Sequence, residues 1–264
     1  MKAEQVWFRG LPPEGAKVER LKLTFPRLPE ALDGARILFV SDVHAGFTFP
    51  AEGQRRLIAQ IASLEPDMVL WGGDFAETRR GAGALFEKIG ALAPPLGMAG
   101  VVGNNDRRAF RGAMEELRGL AERAGVRLLV NGRWTPLSGL IVLGLDEDYY
   151  GMPDASILSG DREAALRILL SHSPVPLEAL LEGAPAPDLI LCGHTHGGQI
   201  RLWGRTLYDL GFDRVRRGQR LFAARGVVRE AGTVAVVSAG LGSSRIPLRL
   251  FCPPEIQLIT LSKT

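Results

Sequence analysis

The chain has 264 residues, of which 46% are hydrophobic, and a formal net charge of +3 at pH 7. A chain of this length and composition buries a sizeable core as one large α/β domain or two small ones, and we expect a single domain over residues 1–264. The charge gives only a weak field for a polyanion, which disfavours a nucleic-acid-binding protein.

The N-terminal half alternates between strand-like and helical runs. Strands are predicted at residues 36–40, 67–74 and 97–106, and helices at 51–64, 81–92 and 109–125. This alternation is typical of βαβ units, in which helices cover a parallel sheet.

The C-terminal half consists mainly of strand-like runs. They cover residues 127–130, 139–145, 165–172, 188–194, 198–203, 220–228, 233–240 and 256–261, with brief helical stretches such as 175–181. Two mixed sheets that pack face to face and are flanked by helices accommodate these runs better than one wide sheet. The sequence therefore predicts an α/β fold with two packed sheets.

The termini and the cysteines bear on the compartment. The N-terminus lacks an apolar stretch long enough for a signal peptide, and no later run approaches the roughly eighteen apolar residues of a membrane span. Cys192 and Cys252 match no zinc or redox spacing, and Cys192 ends an apolar run as a small hydrophobic residue. These features favour a cytoplasmic protein in a reducing compartment.

Seven polar side chains, which include every histidine of the chain, follow the ends of predicted strands: Asp42, His44, Asp74, Asn104, His172, His194 and His196. Because open α/β sheets bind ligands at the carboxyl ends of their strands, we expect these side chains to converge on one crevice. Taken singly, each residue could instead cap a helix, form a turn or satisfy a local hydrogen bond. Their common position favours a shared site.

The chemistry of this set points to a metal centre. Oxygen and imidazole ligands without a thiolate suit a transition metal such as Mn, Fe, Co or Zn, and seven ligands are too many for one ion. Two divalent ions that share one carboxylate account for all seven ligands. Such a pair activates water and stabilises the attacking and leaving oxygens in phosphoryl transfer.

Residues 201–220 are rich in arginine and aromatic residues, and they include Arg201 and Arg205. We expect this segment to form a loop that covers the site and binds an anionic substrate or a membrane surface. A solvated basic face with a few packed aromatic residues is the alternative.

Five motifs occur in an order that resembles the calcineurin-like metallophosphoesterase superfamily: DVH at 42–44, GGD at 72–74, GNND at 103–106, LSHSP at 170–174 and GHTHGGQ at 193–199. Residues 237–256 are similar to a branch of small bacterial phosphodiesterases that are often tied to membranes. The resemblance implies a four-layer α/β/β/α sandwich. It also implies that Asp42, His44 and His196 bind one metal, that Asn104, His172 and His194 bind the other, and that Asp74 bridges them.

One position departs from that family's pattern. Members usually have a histidine after the metal-binding asparagine, where it contacts the leaving group, whereas this chain has Asn105. Some relatives that cleave UDP-diacylglucosamine also lack this histidine, but they carry an arginine there. We expect Asp74, Asn104, Asn105 and His172 to act in catalysis, and Asn105, Arg201 and Arg205 to contact substrate.

Three functions are consistent with these residues. The first is a dinuclear phosphoesterase that uses a metal-activated hydroxide to hydrolyse phosphodiester or pyrophosphate bonds. Lipid-linked compounds are among the substrates considered. The second is a pyrophosphatase of the UDP-diacylglucosamine type. The third is a non-catalytic scaffold that has kept the fold to bind proteins. Manganese is among the metals expected, and the protein is expected in the cytoplasm or at the inner face of a membrane.

Overall fold

Two six-stranded sheets form the centre of the computed structural model, which describes residues 6–160, 163–174, 185–203, 205–206, 208, 223–230, 232–244 and 246–264. The strands are β1 (Val6–Phe8), β2 (Lys17–Thr24), β3 (Arg36–Val40), β4 (Met68–Trp71), β5 (Met98–Gly100), β6 (Val126–Leu128), β7 (Gly132–Leu137), β8 (Leu140–Gly144), β9 (Leu166–Ser171), β10 (Leu189–Cys192), β11 (Gly226–Glu230), β12 (Thr233–Val237), β13 (Leu248–Leu250) and β14 (Glu255–Ser262). The α-helices are α1 (Ala51–Ser63), α2 (Arg79–Ile89), α3 (Asn104–Ala109) and α4 (Met114–Arg123), and short 3-10 turns span Glu30–Leu32, Ala155–Ser159 and His196–Gly198.

Both large sheets are mixed. The first has the order β2-β14-β3-β4-β5-β6, with β3 to β6 parallel and β14 antiparallel to β3. The second has the order β11-β12-β10-β9-β8-β7, with β8, β9, β10 and β12 parallel and an antiparallel strand at each edge. These two sheets confirm the predicted fold class.

The alternation of side chains along each strand separates the core into layers. In β3, Ile37 and Phe39 point between the two sheets, whereas Leu38 and Val40 pack on the side of α1 and α2. The outer face of the second sheet, with residues such as Leu143, packs against the 3-10 turn Ala155–Ser159. The predicted helix at 175–181 lies outside the described residues.

The elements differ from the predicted ones in several places. The helix predicted at 109–125 is shorter and forms α4 alone, preceded by Gly112 in a left-handed backbone conformation with φ of 72°, and the end of the strand predicted at 97–106 is instead the first turn of α3. The run 198–203 makes isolated bridges instead of a continuous strand. The strands β1, β2, β7 and β13 were not predicted, and β2 pairs in parallel with β14 at the edge of the first sheet. Most of the segment 201–220 lies outside the described residues.

Among the described residues, no helix is long and apolar enough to cross a membrane.

Candidate metal centre

The seven predicted metal ligands follow strands whose carboxyl ends lie together at one edge of the two sheets. In the first sheet they come after β3, β4 and β5, and in the second sheet after β9 and β10. Three hydrogen bonds join these loops. His172 Nδ1 lies 2.8 Å from the Gly72 carbonyl oxygen, the His194 amide donates to the Asp42 carboxylate at 3.0 Å, and the Asp42 amide donates to the Gly73 carbonyl at 3.0 Å. The parallel strands therefore bring the side chains together as predicted.

The first cluster contains Asp42, His44 and His196, whose ligand atoms all lie within 4.8 Å of one another. His196 Nε2 is 3.7 Å from Asp42 Oδ1, and the rings of His44 and His196 are 4.9 Å apart. All three residues are buried, so a cation bound here would exchange few of its ligands for water.

The second cluster contains Asn104, His172 and His194. Asn104 Oδ1 lies 3.2 Å from His172 Nε2 and 3.0 Å from His194 Nδ1, and the two ring nitrogens are 3.3 Å apart. Because His172 uses Nδ1 toward the Gly72 carbonyl, its Nε2 is left to face the cluster. A backbone carbonyl that accepts from the outer ring nitrogen fixes the tautomer of a ligating histidine.

Asp74 lies between the two clusters. Its Oδ2 is 3.3 Å from His44 Nε2 and 3.6 Å from His172 Nε2. The ligand atoms of Asp42, Asp74 and His172 also lie within 4.8 Å of one another. One carboxylate therefore faces a histidine from each cluster.

The donor set fits divalent cations. His44 Nε2 is fully buried and makes no hydrogen bond to any described residue, although Asp74 Oδ2 is only 3.3 Å away. A buried imidazole nitrogen without a hydrogen bond is unfavourable in a folded protein unless another group satisfies it. Nitrogen and oxygen donors that face the same small volume are what a transition-metal ion requires. The two clusters could therefore hold one ion each.

The backbone at these positions is strained. Asp42, His44, Asp74, His194 and His196 all have φ between 50° and 70°, a region that residues other than glycine seldom adopt. Each such residue costs on the order of 1–3 kcal/mol, and strain of this kind concentrates at functional sites. Neighbouring glycines make the close approach possible, since a Cβ on Gly193 would overlap Ser41 and the Asp42 carboxylate.

The charges of the cluster favour a bound cation. Although burial opposes its charge, the carboxylates of Asp74 and Asp42 raise the pKa of His172 to about 10. Burial likewise opposes ionisation of Asp74, but His172 and His44 hold its pKa well below the usual range. Burial and the charge of His172 lower the pKa of His194 to about 3. In the metal-free chain the proton on His172 thus supplies a positive charge that an ion would replace.

Asn105 contacts the bridging position. Its backbone amide donates to Asp74 Oδ1 at 2.7 Å and its side-chain amide donates to Asp74 Oδ2 at 2.6 Å. Its side-chain oxygen accepts a hydrogen bond from Arg108 Nη2. The residue that replaces the expected histidine therefore orients Asp74 and is itself held by an arginine.

The two predicted substrate-binding arginines lie in the segment that follows the turn His196–Gly198. The Arg201 amide donates to the Leu250 carbonyl at 2.9 Å, and Arg205 bridges to Leu202. A cavity of about 680 Å³ opens above the histidines, and Tyr149, Tyr208 and Ile246 contribute to its lining. Neither Arg201 nor Arg205 is among the described residues that line this cavity, and their contact with substrate stays a prediction.

Arg249 is a buried residue of the site that sequence reasoning missed. Its guanidinium donates to the carbonyls of Ala239 at 2.7 Å and of Gly242 at 2.8 Å, and it also lies 3.4 Å from the His196 carbonyl oxygen. These contacts hold the loop that follows β12 against the turn that carries His196. Nothing in the local sequence around Arg249 distinguishes it from a surface arginine of β13.

Asp106, at the end of the GNND motif and in the first turn of α3, is a further buried residue of the site that was not among the predicted ligands. It accepts the amides of Gly103 at 2.9 Å and Ala76 at 3.3 Å, and so joins the loops that carry Asn104 and Asp74. Burial and the nearby charge of Asp74 raise the pKa of Asp106 to about 7.

Comparisons with known proteins agree with this geometry. The sequence model of the calcineurin-like phosphoesterase family matches residues 35–198, which contain every ligand candidate. The chain is 30% identical over 247 residues to the uncharacterised metallophosphoesterase YkuE of Bacillus subtilis, covering 90% of this chain and 82% of the relative. It is 28% identical to the phosphodiesterase YaeI of Escherichia coli, covering 86% of this chain and 82% of the relative.

Among solved structures, the protein TT1561 of Thermus thermophilus matches with a TM-score of 0.47 and 14% identity, covering 78% of this chain and 89% of the other.

The family match spans the loops after β3, β4, β5, β9 and β10, where the two clusters of side chains lie. The chain therefore belongs to the calcineurin-like phosphoesterase family.

Proposed function

We propose that this protein hydrolyses phosphodiester or pyrophosphate bonds with two divalent transition-metal ions, drawn from Mn, Fe, Zn and Co. The observation that carries the proposal is the position of Asp74, whose Oδ2 lies within 3.6 Å of a histidine nitrogen from each cluster. A carboxylate in this position suits a shared ligand. The complete set of seven buried or half-buried donors argues for an active enzyme.

The side chains divide the work as follows. Asp42, His44 and His196 would hold one ion, Asn104, His172 and His194 the other, and Asp74 both. When bound, the two ions supply an activated water and the positive charge that stabilises the phosphoryl oxygens. Asn105 keeps Asp74 in place through two hydrogen bonds. Because Asn105 cannot transfer a proton, the chain favours leaving groups that depart without one.

Turnover of bis-(p-nitrophenyl) phosphate by the Mn²⁺-loaded protein tests this proposal. We expect hydrolysis that is lost in the chelator-treated protein and restored by the metal. A matched control is Arg118→Gln, an exposed change on α4 that leaves both clusters untouched. A protein that retains metal but hydrolyses neither this diester nor a pyrophosphate would instead support the scaffold alternative.

A pyrophosphatase of the UDP-diacylglucosamine type is the second candidate. Its support is Arg108, which contacts Asn105 and so brings a guanidinium close to the position where those enzymes carry an arginine. Hydrolysis of a nucleotide-linked pyrophosphate at a far higher kcat/KM than of bis-(p-nitrophenyl) phosphate would favour this candidate.

We also propose peripheral association with a membrane. Several large apolar side chains are exposed on or near β1 and β13, among them Phe8, Phe47, Trp203 and Ile246, and Ile246 also lines the cavity above the histidines. Trp203 is 96% exposed, and Arg9 stacks over Phe47 at 4.0 Å. Apolar residues beside cations suit an anionic lipid surface. Co-sedimentation with anionic vesicles tests this, and Trp203→Ser should weaken it while Arg118→Gln should not.

A further inference from the structure

A second cavity, of about 910 Å³, lies beside the metal centre and is rich in cationic side chains. Arg107, Arg108 and Arg111 line it on one side, and Tyr149 and Tyr150 on the other. Arg108, Tyr149 and Tyr150 also line the cavity above the histidines, so the two cavities are adjacent.

The tyrosine wall of this cavity is held by two buried carboxylates on the loop that follows β8. Glu147 accepts the amides of Tyr149 at 2.7 Å and Tyr150 at 2.6 Å. Asp146 accepts the amides of Glu147 and Met152, each at 2.9 Å. The loop is therefore shaped by its own polar groups, and it places the Tyr149 ring 5.2 Å from that of His194.

The arginine wall is tied to the same loop. Arg107 donates two hydrogen bonds to Asp146, at 3.1 and 2.6 Å. Its charge is therefore neutralised by Asp146, and this ion pair joins the two walls. Arg108 and Arg111 are exposed, and among the described residues no carboxylate lies within 4.0 Å of either guanidinium. Two cations thus face a preformed space without a neutralising partner, which suits an anion.

Arg108 connects this space to the reaction site. Its Nη2 donates to Asn105 Oδ1, and Asn105 in turn donates to Asp74. A group held by Arg108 would therefore be adjacent to the scissile phosphorus of a substrate bound beside Asp74. The cavity lies on the side of the site that contains Asn105, the position where the family usually has a histidine.

We propose that Arg108 and Arg111 bind a second phosphate group of the substrate, and that this phosphate is the leaving group. The inference rests on the proposed hydrolytic function and narrows it to pyrophosphate-linked substrates. Water adds its oxygen to the scissile phosphorus, and the bond from that phosphorus to the bridging oxygen breaks. The electron pair stays on the bridging oxygen, which departs as part of the second phosphate, and one proton of the water passes to solvent.

This assignment explains why the site works without a histidine at position 105. A departing phosphate is a weak base, so its oxygen needs little protonation. Two guanidinium groups neutralise the charge that develops on it instead, and planar guanidinium groups suit phosphate oxygens.

Isothermal titration of the Mn²⁺-loaded protein with two non-hydrolysable probes tests the proposal without relying on turnover. The probes are inorganic phosphate and methylenediphosphonate, which differ by one phosphonate group. We expect the wild type to bind methylenediphosphonate more tightly. Arg108→Gln and Arg111→Gln should each reduce this preference about tenfold or more, because a charge-assisted hydrogen bond is lost. Arg118→Gln on α4 is the matched control and should keep it.

Chelation of the metal by the diphosphonate is the same in every variant, so the comparison isolates the arginines. The Arg111 variant leaves the hydrogen bond between Arg108 and Asn105 intact, and it therefore guards against a disturbance of Asp74 in the Arg108 variant. A preference unchanged in both arginine variants would overturn the proposal. Failure of the hydrolytic function would show separately, as absent turnover of bis-(p-nitrophenyl) phosphate, which carries no second phosphate.

Discussion

Replacing Arg249 by Met tests whether this buried arginine stabilises the loop after β12 and the turn that carries His196. The arginine is 1% exposed, and its guanidinium donates to the carbonyls of Ala239 and Gly242. Methionine has a similar length and fills the same space, but it donates no hydrogen bond. The substitution should therefore remove the Arg249 donors from both carbonyls, and of these two only Gly242 keeps another contact among the described residues, with His196 Nδ1 at 3.3 Å.

The size of the effect follows from those contacts. A buried polar group left without a partner costs about 1–3 kcal/mol. Burial lowers the pKa of Arg249, so removal of a buried charge recovers part of this free energy. We expect a net loss of about 1–4 kcal/mol in the free energy of unfolding, or roughly 2–16 °C in Tm for a chain of this size.

Urea titration at saturating Mn²⁺ measures this loss. The matched control is Arg118→Met on the surface of α4, which should change stability by less than about 0.5 kcal/mol. We also expect Arg249→Met to bind less metal, because Arg249 lies against the carbonyl of His196. If Arg249→Met unfolds at the same urea concentration as the control and keeps its metal, the role assigned to Arg249 is wrong.

Three further predictions concern the metal centre. Asp74→Ala should lower kcat more than Asn104→Ala, because Asp74 faces a histidine of each cluster; equal losses would argue against a bridging role. At pH 7.5 metal binding should release about one proton, measured by calorimetry in buffers of different ionisation enthalpy. His172, with a pKa raised to about 10, keeps its proton in the metal-free chain, so metal affinity should rise with pH up to that value. Asn105→His should raise kcat/KM for alkyl diesters while hardly changing that for nitrophenyl esters, and an unchanged leaving-group series would show that another group already donates the proton.

The sequence predicts those features of the fold and site that depend only on local residue pattern and on the order of the strands. Apolar runs that end in Asp, Asn or His located the carboxyl ends of β3, β4, β5, β9 and β10. Since parallel strands share an edge, the convergence of the seven side chains could be predicted without knowing any distance.

The remaining features depend on contacts between distant parts of the chain. β2 is an edge strand with few buried residues, and its partner β14 lies at the other end of the sequence. Arg249, Asp146 and Glu147 look like surface residues in sequence because their burial arises only when loops from several strands meet. The pairing of Asn105 with Arg108 likewise depends on the turn geometry of α3 and not on a recognisable motif.

Anomalous diffraction from crystals soaked in Mn²⁺ tests the central claim most directly. We expect two peaks at this edge of the sheets, one beside Asp42, His44 and His196 and the other beside Asn104, His172 and His194, with Asp74 in contact with both. A single peak at saturating metal, or peaks away from these side chains, would contradict a dinuclear centre.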